Sequence, residues 1–281
     1  METKKEKLTI LVCAHKPDEH IRNYPPYKAI QVGAALHPEM DLGFLKDNVG
    51  DNISEKNPKY CEWSALYWGW KNLKNVEYKG LAHYRRYFDI DINKENIDEL
   101  INGYDILITN KRICDKSVFE IFASCVSYDN AYLFIDVLLS IYPNCNDALL
   151  SYLFNNNKYC QCSMFVAKSE IYDDFCKFAF SILFKLENKM KNSGYSRLNR
   201  TLGYVGELLL GLYIEYKGLR ERIVPMEAIG VNSFNSSLKD SLINTAKFKL
   251  HNYKKTSEIP TPWEAILVGY KIDGIKLDYY K

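Results

Sequence analysis

The sequence predicts an α/β fold in which helices flank a mostly parallel β-sheet. Short runs of β-forming residues alternate with helical patterns along most of the chain, as in successive β-α-β units. A length of 281 residues with 47% hydrophobic content suits one large α/β domain or two small ones and argues against disorder. The 37 basic and 35 acidic residues leave a net charge of +2, which gives no overall attraction to nucleic acid.

Five short apolar runs are predicted to be strands. They cover residues 8–14, 78–84, 104–109, 163–168 and 222–225. Residues 17–58 are rich in Pro, Gly, Asn and Asp and show little periodicity. A long irregular segment in a compact domain is usually functional, so we expect this segment to contribute to a site.

Four longer segments have helical periodicity. They cover residues 61–73, 118–141, 170–191 and 204–216, with a break expected near residues 127–130. In the first, Trp63, Leu66, Tyr67 and Trp70 recur at helical spacing and predict a core-facing stripe. From about residue 227 the pattern weakens. We therefore place one domain over residues 1–226 and a C-terminal extension over residues 227–281.

Several features bear on cellular location. The longest apolar runs, at residues 178–184 and 208–214, are shorter than the roughly 18 to 20 residues of a membrane-spanning helix. The apolar stretch at residues 8–14 is followed by His15, Lys16 and Pro17 rather than by a cleavage site, so we expect a strand there and not a signal peptide. Eight scattered cysteines without zinc spacing predict reduced thiols in a cytoplasmic protein. Cys160 and Cys162 are expected to lie in one strand.

Cationic and imidazole side chains follow three of the predicted strands. Because ligands bind at the carboxyl ends of parallel strands, these side chains are expected at one edge of the sheet: His15, Lys16, His83, Arg85, Arg86, Lys111 and Arg112. A diphosphate would fit such a cluster, and the planar guanidinium suits phosphate oxygens. The alternative is that one arginine is solvated and the other pairs with Asp89 or Asp91. These two aspartates also form a D-x-D pattern, which leaves open a divalent metal site or a solvated loop.

Two further segments carry polar residues in places that favour function. Residues 50–57, including Asp51, Asn52 and Ser54, contain more polar side chains than a helix cap needs, which favours a polar ligand over a simple cap. Glu62 follows and could complement the helix dipole. Glu207 is predicted in the first turn of the last strong helical segment, beside apolar residues, where burial would raise its pKa and suit a general base. A salt bridge with Arg200 or a capping role is the alternative.

Taken together and in order, these motifs resemble one family of bacterial capsular and exopolysaccharide glycosyltransferases. This family was first catalogued as a domain of unknown function and has galactofuranosyltransferase members. The resemblance covers roughly residues 8–226 and rests on these motifs: H-K-P after the first strand, Q-V-G-A-A-L (31–36), G-D-N-I-S-x-K-N-x-x-Y-C-E (50–62), L-Y-W-x-W-K-N (66–72), Y-x-G-L-A-H-Y-R-R-Y-F (78–88), Y-D-I-L-x-x-x-K-R (104–112), M-F-V-x-K-x-E-I-Y-D (164–173) and R-x-x-G-Y-x-x-E (200–207).

The resemblance implies a GT-A-like fold and transfer of a hexose, with galactofuranose as one candidate, from a UDP-sugar to a glycan or lipid-linked acceptor. From the residues themselves we predict Glu207 as the base of an inverting single displacement, with Asp51 as the next candidate, while a covalent or front-side route stays open. The predicted donor-binding residues are His15, Lys16, Asp51, Asn52, Ser54, Glu62, His83, Arg85, Arg86, Lys111, Arg112, Ser163, Arg200 and Tyr204. Ser163 stands where the family usually has Asn, and Leu208 where it usually has Arg. No cofactor is firmly implied, and a divalent Mg or Mn ion stays open.

The sequence also supports a rival hypothesis, and its C-terminal segment carries a pattern of its own. A non-catalytic module that binds nucleotide-sugar or glycan would retain the pocket without turnover, and 14% aromatic content suits sugar stacking. The C-terminal lysines, Lys247, Lys249, Lys254 and Lys255, alternate with Phe248 and Tyr253. That mixture predicts either a peripheral contact with the inner face of the plasma membrane or an ordinary solvated surface.

Overall fold

The computed structural model describes residues 5–191, 196–231 and 237–280. Within them, the strands are β1 (Glu6–Ala14), β2 (Tyr27–Gln31), β3 (Leu45–Lys46), β4 (Val76–His83), β5 (Arg86–Phe88), β6 (Ile106–Thr109), β7 (Arg112–Ile113), β8 (Lys158–Tyr159), β9 (Phe165–Lys168), β10 (Glu221–Val224) and β11 (Met226–Ala228). The five predicted strands are confirmed, each with ends shifted by one or two residues.

The helices of the same residues are α1 (Asn57–Tyr60), α2 (Trp63–Asn72), α3 (Ile97–Ile101), α4 (Val118–Val126), α5 (Tyr128–Ile141), α6 (Asn146–Leu149), α7 (Ser169–Lys189), α8 (Thr201–Lys217), α9 (Leu238–His251) and α10 (Glu264–Ile272). Short 3-10 segments lie at Ala34–Leu36, Ser54–Lys56, Pro143–Cys145 and Ser196–Arg200, and a π-helical turn lies at Leu150–Phe154. The four predicted helices are confirmed.

The chain divides into two compact units. The first unit consists of Met1–Asn110, Cys160–Lys177 and Leu219–Asn235, and the second unit of Lys111–Tyr159, Phe178–Gly218 and Ser236–Lys281. The proposed boundary near residue 227 stays a prediction.

The first unit is built on a mixed sheet with strand order β10-β6-β9-β4-β1-β2-β3. The neighbours β1–β2, β1–β4, β2–β3 and β6–β10 are parallel, whereas β9 is antiparallel to both β4 and β6. In β1, every residue from Leu8 to Ala14 is buried, so both faces of the strand are covered. Two-sided burial explains why the sequence of this strand is a nearly continuous apolar run and does not alternate. This architecture confirms the predicted α/β class.

Strand β2 lies inside the segment predicted to be irregular. It pairs in parallel with β1, with Ile10 opposite Tyr27 and Ala14 opposite Gln31. The sequence Y-K-A-I-Q carries few β-branched residues and sits among turn-forming ones, so local patterning does not reveal it. Pairing with the buried β1 strand decides its conformation.

Helix α2 confirms half of the predicted stripe. Trp63 and Leu66 are fully buried, and the ring of Trp63 packs edge-on against Phe175 at a centroid distance of 5.9 Å. Tyr67 and Trp70 are only half-buried, so the expectation that the whole stripe is core is wrong.

In the second unit, α4 and α5 are separated at Ser127, as the sequence predicts. Ser127 has a φ of 78°, and its side chain accepts a hydrogen bond from the backbone N–H of Asn130 at 3.3 Å, which caps α5. Among the described residues no single helix is long and apolar enough to span a membrane. Helices α4 and α5 taken together reach that length and apolarity, but the pair is bent by 117° at the break between them.

None of the cysteines in the described residues forms a disulfide. The expectation that Cys160 and Cys162 share a strand is wrong. The two residues lie in the connection before β9, where Cys162 and Ser163 have φ values of 60° and 46°. This left-handed backbone turns the chain into β9 and prevents extended pairing.

Candidate functional site

One edge of the sheet in the first unit collects several of the predicted strand-end residues. Cys13, near the end of β1, lies opposite His83, the last residue of β4. His15, directly after β1, and His83 therefore lie at the ends of neighbouring parallel strands. The ring of His15 packs edge-on against Tyr84 at a centroid distance of 5.3 Å. Because β9 runs antiparallel to β4, the residues before β9 reach the same edge, and His83 Nε2 lies 2.5 Å from the backbone oxygen of Cys162.

Arg85 lies in the tight turn that joins β4 to β5. His83 and Arg86 pair across this turn, and Arg85 adopts a φ of 69°. Its Nη2 is 2.6 Å from Asp18 Oδ2, and the Asp18 side chain is only 4% exposed. Arg85 therefore pairs with Asp18 and not with Asp89 or Asp91, which the sequence offered as alternative partners for one of the two arginines.

The Asp18 carboxylate is held in its charged form. The pKa of Asp18 is lowered first by a hydrogen bond from the backbone N–H of His20 at 2.9 Å and then by the neighbouring Arg85 guanidinium. Desolvation acts in the opposite direction but does not outweigh these two effects. Arg85 Nε is buried and has no hydrogen-bond partner among the described residues. The turn thus fixes a guanidinium that keeps donor capacity, as an anion site requires.

Two buried polar side chains near this edge also lack partners. Ser163 is fully buried, and its Oγ makes no hydrogen bond within the described residues; the same holds for Nε2 of the buried Gln161. An unsatisfied buried polar group costs free energy and is compatible with a ligand or water that completes it. Sequence patterns gave no signal for Gln161 or for Asp18, because neither stands in a recognisable motif.

The polar segment around Ser54 is organised by a residue that sequence reasoning missed. Asp47 is fully buried, and its carboxylate accepts hydrogen bonds from Gly33 N at 2.9 Å, Ala34 N at 3.0 Å and Ser54 Oγ at 2.5 Å. Ser54 Oγ also accepts from Ala35 N at 3.0 Å. The Ser54 hydroxyl is therefore committed to internal contacts, and its donor-binding role stays a prediction.

The remaining polar side chains of this segment also make local contacts. Asp51 is exposed, and its Oδ1 accepts a hydrogen bond from Tyr67 Oη at 3.0 Å. Asn52 donates to Gly50 O at 2.8 Å and accepts from Ser54 N at 3.1 Å, which forms a side-chain-stabilised turn. Glu62 occupies the N-cap position of α2 and makes no capping hydrogen bond through its side chain.

The proposed base, Glu207, lies in the second unit. It is in the second turn of α8 rather than the first, since α8 begins at Thr201. Tyr159 Oη donates a hydrogen bond to Glu207 Oε2 at 2.8 Å. Burial, followed by the adjacent Glu207 charge, raises the pKa of Tyr159 well above its ordinary value, so the phenol stays protonated as a donor. One carboxylate oxygen is thereby oriented by a fixed partner.

The predicted site residues divide between the two units. The first unit holds His15, Lys16, Asp51, Asn52, Ser54, Glu62, His83, Arg85, Arg86 and Ser163, and the second holds Lys111, Arg112, Arg200, Tyr204 and Glu207. Lys111 directly follows the first unit, and Arg112 pairs with Tyr159 in the β7–β8 ribbon. The Arg200 guanidinium lies 6.0 Å from the ring of Tyr204. The role of each residue stays a prediction.

The D-x-D pattern does not form a metal-binding group in the described part of the chain. Asp91 Oδ2 accepts a hydrogen bond from Asn93 at 2.7 Å, and its backbone oxygen accepts from Asn96 at 3.0 Å, so it belongs to the turn before α3. Across residues 5–191, 196–231 and 237–280, no three His, Cys, Asp or Glu side chains lie close enough together to hold a metal ion.

The strand order and the helices around the sheet define a GT-A-like glycosyltransferase fold. The chain is similar to the solved apo structure of WbbM, a bifunctional glycosyltransferase, with a TM-score of 0.70 and 26% sequence identity. The match covers 83% of this chain and 47% of that chain, so this chain spans about half the length of its structural relative. No curated protein matches the sequence.

Residues 9–218 match the family model described as a domain of unknown function, DUF4422. The chain belongs to this family. The match covers the motifs on which the sequence resemblance rests.

Proposed function

We propose that the protein is a glycosyltransferase that moves a hexose from a UDP-sugar to a glycan or lipid-linked acceptor. The observation that carries this proposal is the similarity of 83% of the chain to the WbbM glycosyltransferase. Galactofuranose is the donor sugar we favour, and assembly of a capsular polysaccharide, exopolysaccharide or O-antigen in the cytoplasm is the role we propose. These finer assignments rest on the motif resemblance.

The sheet edge of the first unit supports the donor half of the reaction. When the glycosidic bond of the donor breaks, negative charge develops on the departing diphosphate, and fixed cationic donors stabilise that charge. The Asp18 contact fixes Arg85 without consuming its buried Nε, and Lys16 is exposed at the same edge. We propose that Lys16, Arg85 and Arg86 bind the diphosphate, with Ser163 contributing a hydroxyl.

The carboxylate of Glu207 supports the acceptor half. In a single displacement, a base takes the proton of the acceptor hydroxyl while the oxygen of that hydroxyl attacks the anomeric carbon of the donor sugar. The bond from the anomeric carbon to UDP breaks in the same step, UDP leaves, and the anomeric configuration inverts. Tyr159 fixes Oε2 of Glu207 and so orients Oε1. We propose Glu207 as that base, with Asp51 as the next candidate.

The test is UDP release and sugar transfer with a panel of UDP-sugars that includes UDP-galactofuranose. Glu207→Gln is expected to retain UDP binding by calorimetry and to lose transfer by about two to four orders of magnitude. Glu215→Gln, the same change on the same helix at an exposed position that contacts Ser151, is the matched control and should retain activity.

Three outcomes would change the assignment. Full activity of Glu207→Gln moves the base elsewhere, with Asp51 tested next. Binding of UDP-sugars without UDP release from any donor favours the non-catalytic module. Loss of turnover on addition of a chelator, with recovery on Mg or Mn, would establish a divalent ion as a cofactor.

A further inference from the structure

Helix α9 is unusual in the second unit because none of its residues is buried. Asn244 Nδ2 donates to the backbone oxygen of Ile113 in β7 at 3.0 Å, whereas Thr245 Oγ1 donates within the helix to Ser241 O at 2.8 Å. Ser241, Asn244, Thr245 and Phe248 are half-buried and mark the inward face. The inward face therefore carries three polar side chains and one aromatic ring.

The opposite face of α9 and the residues after it carry apolar side chains in solvent. Leu238, Leu242, Ala246 and Leu250 recur every four residues and so share one face of the helix, and Tyr253 follows two residues after its end; these five residues are here called the outer stripe. The exposed fractions are 86% for Leu238, 72% for Leu242 and 79% for both Leu250 and Tyr253. An amphipathic helix that packs on a protein core normally turns its apolar face inward, whereas α9 turns its apolar face to solvent.

Basic side chains surround the outer stripe. Residues 237–255 contain Lys239, Lys247, Lys249, Lys254 and Lys255 against one acidic residue, Asp240, whose carboxylate is bonded to Ser237 at 2.7 Å in the helix cap. An apolar face bordered by lysines matches the interface of an anionic bilayer, where apolar side chains enter the acyl boundary and lysines meet phosphate groups. The pattern does not favour binding to nucleic acid, because the four exposed apolar side chains would find no apolar surface to bury against.

We propose that α9 docks the protein on an anionic lipid surface through the outer stripe and its lysines. This inference rests on the exposure of α9 and not on the proposed transfer reaction, although it suits a lipid-linked acceptor. The proposed surface differs from the membrane-contact motif suggested by the sequence, because Phe248 is half-buried on the inward face, whereas Leu238, Leu242 and Leu250 are exposed.

The test is co-flotation of the full chain with vesicles of phosphatidylcholine alone and of phosphatidylcholine with about 30% phosphatidylglycerol. Binding is expected to the anionic vesicles and to weaken as salt rises from about 0.05 to about 0.5 M. The double variant Leu242→Ser/Leu250→Ser should lose at least about tenfold in binding. Replacing Lys247 and Lys254 with glutamine should cost about fivefold per lysine.

Matched controls separate the stripe from general surface properties. Ile272→Ser removes an apolar side chain that is as exposed as Leu250 but lies at the end of α10, and Lys94→Gln removes an exposed lysine of the first unit; both should bind like the wild type. The variants fold if their far-UV circular dichroism and urea unfolding midpoints match the wild type, two readouts that depend neither on UDP binding nor on transfer.

Two results would overturn the proposal. One is an absence of wild-type binding to anionic vesicles at low salt. The other is concentration-dependent dimerisation in light scattering that the double leucine variant abolishes while vesicle binding is unchanged, because the outer stripe would then be an interface between copies of the chain.

Discussion

Replacing Asp47 with alanine is expected to destabilise the first unit strongly. The carboxylate is fully buried and accepts hydrogen bonds from two backbone N–H groups and from the Ser54 hydroxyl. Truncation leaves these three donors without their acceptor in a dry environment. Each buried donor left without an acceptor costs about 1–3 kcal/mol, so three such donors with partial relaxation cost about 3–5 kcal/mol in total.

The contacts also predict a local effect. Gly33 has a φ of 69°, and its N–H is one of the two backbone donors to Asp47, so the turn at residues 33–35 depends on the carboxylate. In Asp47→Ala the amide hydrogens of Gly33 and Ala34 should exchange far faster, whereas Asp47→Asn, which keeps one acceptor oxygen, should be intermediate.

Urea unfolding and amide hydrogen exchange measure the two effects. A loss of about 3–5 kcal/mol corresponds to a midpoint lowered by roughly 1–1.7 M, for a slope of about 3 kcal/mol per M. The matched control is Asp51→Ala, since Asp51 is exposed and receives one side-chain hydrogen bond, and its loss should stay within about 1 kcal/mol. Equal effects of the two alanine variants, or unchanged protection at Gly33, would refute the assignment of Asp47 as the organiser of this segment.

Three other predictions concern single contacts. Arg85→Ala should lower turnover by about two to three orders of magnitude if the guanidinium stabilises the leaving group, while Arg220→Ala, which breaks an exposed pair in the same unit, should not change it. Tyr159→Phe removes the hydrogen bond to the proposed base and should shift the pH profile of transfer with donor affinity unchanged; an identical profile would contradict an orienting role. Hydrogen bonds from Lys185 and a second lysine lower the pKa of Asp278 below its ordinary 3.8, so this carboxylate stabilises the fold above that value and its contribution is lost as the pH falls through the lowered pKa. The gap in urea midpoint between wild type and Asp278→Asn should therefore narrow from about pH 6 to about pH 3, and a constant gap would argue against the pair.

Several elements could be predicted because their patterns are local. The strands β1, β4 and β6 are short apolar runs bounded by turn residues, and the break at Ser127 follows from polar residues inside an apolar helix. The rule that ligands bind at the carboxyl ends of strands directed attention to His83 and its neighbours. These inferences need no knowledge of distant residues.

The internal contacts of the site could not be predicted in the same way. Arg85 pairs with Asp18, which lies 67 positions earlier in the chain, rather than with the nearby Asp89 or Asp91. Likewise, Asp47 satisfies backbone groups of a turn more than a dozen residues away. Long-range pairing of this kind depends on where the sheet places each loop, and no sequence pattern encodes that placement.

The sequence by itself determined the α/β class, the principal strands and helices, and the types of residue available for chemistry, because each follows from short-range periodicity and side-chain chemistry. Only the tertiary structure decided the pairing of β2 with β1, the ion pair of Arg85, and the outward direction of the α9 stripe. The repeat of apolar residues in α9 is visible in the sequence, but periodicity fixes only that they share a face. Which way the face points depends on the contacts of the opposite face, here the hydrogen bond of Asn244 to Ile113.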